Sequence, residues 1–66
     1  MIYDSIVNLT TGNEKRVKKI RSIDNSHEKM YQAERYVVGD LREKKIKISD
    51  ADIYETAHAI VNSLNK

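Results

Sequence analysis

The sequence predicts an all-α fold: a small helical bundle with a C-terminal antiparallel helix pair, complete by itself or finished by oligomerisation. Three observations lead there. Ile48-Ser49-Asp50-Ala51-Asp52-Ile53 spells a helix start, with Ser49 as the cap and Asp52 three residues on. Ile48 and Ile53 flank that cap at the spacing of a hydrophobic staple, and the two aspartates suit the positive end of the helix dipole. Similar starts recur at Thr11–Glu14 and Asn25–Glu28, and the apolar residues between them repeat every three or four positions.

The first element, Met1 to Leu9, places Ile2, Ile6 and Leu9 at helical spacing. A strand turning at Thr11-Gly12-Asn13 into Lys15–Ile20 is the competing reading of the same residues. The second helix opens with the Thr11–Glu14 capping box and carries Val17, Ile20 and Ile23 on an otherwise basic rod. Its like charges sit at short helical spacings, so it needs docking or an anion to settle.

The third helix opens at Asn25–Glu28. Met30, Ala33, Val37 and Leu41 share one face, flanked by Tyr31 and Val38, with Lys29, Gln32, Arg35 and Tyr36 away from it. No Gly or Pro separates it from the second helix, so one rod from Gly12 to Lys45 with a heptad-like seam is an alternative. His27 and Glu34 on that seam count against it. Gly39-Asp40 punctuates the helix, and continuation to about Lys45 is favoured, at a cost of about 1 kcal/mol for the glycine. Ile46-Lys47-Ile48 reads as a short connector. The last helix, Asp50 to about Leu64, aligns Ile53, Ala57, Ile60, Val61 and Leu64 against the third.

Sixty-six residues make one domain, spanning 1–66, which buries only about 60% of the surface of its unfolded chain. The apolar share is 39%, with no Trp, Phe or Cys. A thin core with neither disulfide nor thiolate zinc site suggests outside help, and self-association is the simplest form of it. No run spans a bilayer, and Met1 to Leu9 lacks the basic start of a signal peptide. The expectation is a cytoplasmic chain without membrane contact.

Catalysis needs a nucleophile, base or metal held in a pocket. Cysteine is absent, and His27 and His58 fall on different helices. His58 reads as a boundary residue and His27 as a solvated one. Asp50, Asp52 and Glu55 lack EF-hand spacing, and Gly12 and Gly39 are isolated, so no phosphate loop exists. No enzyme, cofactor or metal is expected.

The net charge is only +2, yet Lys15, Arg16, Lys18, Lys19 and Arg21 fall within seven residues. These five cations, with an exposed tyrosine such as Tyr36, are the candidate binding surface. They suit an acidic partner surface or a phosphate backbone. A helix-turn-helix is disfavoured, because its second helix would present Asp50 and Asp52 to the groove.

The C-terminal half resembles the soluble tails of small phage holins of the Lactobacillus phage type. Ala33, Tyr36, Val37, Leu41, Lys45, Ile46, Ile48, Ser49, Asp50, Ile53, Ala59, Val61, Leu64 and Asn65 carry the likeness. That family's membrane-spanning segment has no counterpart here, so lysis is not carried over. The resemblance implies a phage or mobile-element origin in a Gram-positive host. The expected function is a non-enzymatic interaction or regulatory module that binds a protein partner or its own copies. A nucleic-acid-binding accessory protein using residues 15–21 is the alternative.

Overall fold

In a computed structural model, which describes residues 2–65, the chain forms α1 (Asp4–Thr11), α2 (Glu14–Arg21), α3 (Ser26–Lys44) and α4 (Asp50–Leu64). No strand occurs among the described residues. The all-α bundle is therefore the fold, and the hairpin reading of the N-terminal third is excluded.

Each helix begins where a side chain or an extended residue can start it. Asn13 Oδ1 accepts from the Arg16 amide at 3.1 Å and opens α2. Asn25 Oδ1 accepts from His27 and Glu28 at the head of α3, and Ser49 Oγ from Asp52 at the head of α4. These bonds satisfy amides that have no partner within their own helix. The expected Thr11 cap is corrected: Thr11 is the last residue of α1, and Asn13 is the cap. Gly12 permits the tight turn between them, since a Cβ there would lie 2.9 Å from the Asn8 carbonyl oxygen.

The continuous rod from Gly12 to Lys45 is also corrected. Helix α2 ends at Arg21; Ser22, still in right-handed helical geometry, is its C-cap, and its Oγ donates to the Lys19 carbonyl at 2.8 Å. A hydroxyl that serves the preceding turn competes with helix continuation. By contrast, α3 runs straight through Gly39-Asp40 and stops at Lys44. Lys45 then takes the left-handed conformation at φ 58°. The Ile46 amide reaches back to Leu41 at 2.9 Å and the Lys45 amide to Arg42 at 3.1 Å, a paired closure that ends the helix.

The expected start of the first helix at Met1 lies outside the described residues. Within them Tyr3 is the N-cap and Ile2 stays half exposed. Leu9 also faces outward, so the stripe that docks α1 is Ile6 and Thr10, not Ile2, Ile6 and Leu9.

The core consists of Ile6, Ile20, Ala33, Val37, Leu41, Ala57, Ile60, Val61 and Leu64. Val37 and Ile60 are both fully buried, as the facing stripes of α3 and α4 require. Fully buried Ala33 and Ala57 keep the facing surfaces of this pair small, which favours close approach of the two backbones. Leu41 shares a groove with Ile53, and Met30 shares another with His58, so the pair runs antiparallel. Helix α1 packs on α4 and α3, and α2 touches the other three. Each large aliphatic side chain sealed here contributes about 2 kcal/mol by leaving water.

Candidate functional site

Helix α2 carries five of the six candidate residues, and the fold divides them. Arg16, Val17 and Ile20 point inward; Lys15, Lys18 and Lys19 are exposed. The three lysines stand at i, i+3 and i+4, so they share one outer face. None of them makes an ion pair or side-chain hydrogen bond among the described residues. Glu14 in the first turn and Lys18, Lys19 and Arg21 in the last complement the helix dipole, which offsets part of the repulsion among the lysines.

Arg16 is committed to the interior. Its Nη1 donates to Asp40 Oδ2 at 2.7 Å and its Nη2 to Asp40 Oδ1 at 3.0 Å. Nη1 also donates to Thr10 Oγ1 at 3.2 Å. The guanidinium lies over the Tyr36 ring, 4.5 Å from its centroid. One side chain thus ties α2 to both α1 and α3. The hydrogen bonds to Asp40 push the Arg16 pKa above its already high ordinary value, against the cost of partial burial. Arg16 is a fixed positive charge that the fold itself consumes.

Tyr36 departs from expectation. It is half-buried and packs against the core, with Arg16 above its ring. The helical projection set it opposite Met30 and Val37, but α1 and α2 wrap round that flank of α3 and cover it. Arg21 is exposed, and its Nε donates to the Leu64 carbonyl at 3.4 Å, at the end of α4. A cation there suits the negative end of that helix.

Asp40 is the residue that sequence reasoning missed. In the sequence it marks only the Gly39-Asp40 punctuation of the third helix. A signal was present: Asp40 lies three residues after Val37 and seven after Ala33, on their apolar face. A carboxylate on such a face requires a cation. Asp40 is 6% exposed and takes Arg16 as that cation.

The histidines do not converge on reaction chemistry. His58 is exposed and stacks on Tyr54, centroids 5.9 Å apart, with its Nδ1 3.4 Å from Asn62 Nδ2. Among the described residues, no three His, Cys, Asp or Glu side chains gather in a metal-holding group. No described helix is long and apolar enough to cross a membrane. The remaining feature with unspent binding capacity on α2 is its lysine face. Compared with known proteins, the chain matches no family model, no curated protein and no solved structure.

Proposed function

We propose that this chain is a non-enzymatic interaction module that presents the lysine face of α2 to an acidic protein partner. The observation that carries the reading is the division of labour on that helix. Arg16, Val17 and Ile20 hold α2 against the bundle, while Lys15, Lys18 and Lys19 stay exposed without ion pairs. An unneutralised triad on a docked helix steers an anionic partner towards it. With Arg16 consumed and Arg21 engaged at the end of α4, three free cations suit a small acidic patch better than a long phosphate track. The likeness of the C-terminal half to holin tails adds a phage or mobile-element setting to the proposal, and a cytoplasmic location is proposed beside it.

The test compares wild type with a variant in which Lys15, Lys18 and Lys19 are all glutamine. Host proteins retained by immobilised wild type and lost by the variant support the reading, provided the circular dichroism spectra agree. Equal retention overturns it. Fluorescence anisotropy with a labelled duplex oligonucleotide covers the other partner class. A nucleic-acid role requires log affinity to fall with log salt at a slope of roughly −3, as three neutralised phosphates dictate. That outcome would replace the protein reading.

A further inference from the structure

Ser22 extends the lysine face of α2. It is the C-cap of that helix and keeps right-handed helical geometry, with φ −75° and ψ −13°. Its side chain therefore follows those of Lys15, Lys18 and Lys19 along one outer face, one turn beyond Lys18 and Lys19. The residue is exposed, and the chain leaves helical structure directly after it, at Ile23. The Ser22 hydroxyl donates to the Lys19 carbonyl at 2.8 Å, and the Ile23 amide closes the last turn on Ile20 at 3.2 Å. Terminal turns of this kind fray, which brings the hydroxyl within reach of a second protein.

The other serines lack this setting. Ser5 follows Asp4, Ser26 lies between Asp24 and Glu28, and Ser49 precedes Asp50 and caps α4. Ser63 belongs to a helix without Lys or Arg. Ser22 alone has a cluster of cations on its own helical face. Lys18, Lys19 and Arg21 lie within four residues of it, against one carboxylate, Asp24.

A phosphate on Ser22 would change that face directly. It carries about −1.5 to −2 charges at neutral pH, enough to cancel more than half of the three lysine charges. Its oxygens accept hydrogen bonds from the ammonium groups of Lys18 and Lys19 one turn back. Those contacts offset the unfavourable position of an anion at the negative end of the helix. We infer that Ser22 is a phosphorylation site for a serine/threonine kinase with an acidic substrate groove, and that its phosphate neutralises the lysine face. In the transfer, Ser22 Oγ bonds to the γ-phosphorus of ATP. The bond from that phosphorus to the ADP oxygen breaks, and the hydroxyl proton passes to the base of the kinase. The consequence for binding rests on the proposed function, since a neutralised face releases an acidic partner. The modification itself does not depend on that reading.

The chain is incubated with a host lysate and ATP radiolabelled at the γ-phosphate. Wild type and Ser22→Thr are expected to take the label, and Ser22→Ala to lose it while keeping its circular dichroism spectrum. Replacing Lys18 and Lys19 by glutamine should slow labelling roughly tenfold, because the kinase reads those charges. An unlabelled wild type, or a label that survives Ser22→Ala, overturns the inference. Chains carrying phosphate on Ser22, made by total synthesis, then report the lysine contacts without any partner. By phosphorus NMR titration the second phosphate pKa should lie about half a pH unit lower with Lys18 and Lys19 present than with glutamine in their place. Equal values overturn the neutralisation. Host proteins retained by the unmodified chain should be released by the phosphorylated one, and unchanged retention also overturns it. A chain that is labelled at Ser22 but retains no host protein in either form upholds the site and rejects the acidic-partner reading.

Discussion

The Arg16 guanidinium grips the Asp40 carboxylate through two parallel hydrogen bonds, 2.7 and 3.0 Å long, across twenty-four residues of chain. The Asp40 side chain is 8% exposed and that of Arg16 25%. This asymmetry decides which deletion hurts more. Arg16→Met strands a carboxylate almost out of water and should cost about 3 kcal/mol. Asp40→Asn leaves a cation that solvent, Thr10 and Tyr36 still serve, and should cost about 1–2 kcal/mol. A chain this short has about 3–10 kcal/mol in total. Urea denaturation of both single variants and the double variant checks the order. Equal losses for the two singles would contradict the asymmetry.

Gly39→Ala should raise stability by about 1 kcal/mol and the melting temperature by about 4–8 °C. The position is mid-helix and exposed, and the added methyl meets nothing. Calorimetry at low micromolar concentration isolates this gain from any effect on association.

Lys45→Gly should also stabilise, by about 1 kcal/mol, because Lys45 holds the left-handed conformation that closes α3. The hydrogen bonds from Lys45 and Ile46 to Arg42 and Leu41 are made by backbone and survive the change. Thermal unfolding followed by circular dichroism measures it. A loss of stability would mean that the lysine side chain contributes more than its backbone costs.

Ile60 is completely buried between the helices. Ile60→Val should cost about 1 kcal/mol and Ile60→Ala about 3 kcal/mol, the larger value approaching the stability of the whole domain. Urea midpoints of the two variants give the comparison, and a near-neutral alanine would contradict a single packed core.

Local signals in the chain specified the helices. Asn25 and Ser49 cap the helices they were expected to cap, and the stripe from Ala57 to Leu64 is buried as its spacing requires. These features act over three or four residues, so they are legible from neighbours alone. The competition between Thr11 and Asn13 was not, because both are good caps and the choice depends on where Ile6 and Thr10 dock.

The division of the basic segment belonged to tertiary structure. Lys15, Arg16, Lys18, Lys19 and Arg21 are alike as letters, and only the placement of Asp40 and Tyr36 beside α2 separates Arg16 from the lysines. What the sequence by itself determined was the helical class, the α3–α4 pair and its apolar seam, all set by short-range periodicity. What the folded chain alone decided was which charges are spent inside and which remain for a partner. A buried ion pair depends on two side chains meeting across the bundle, and no local pattern encodes that meeting.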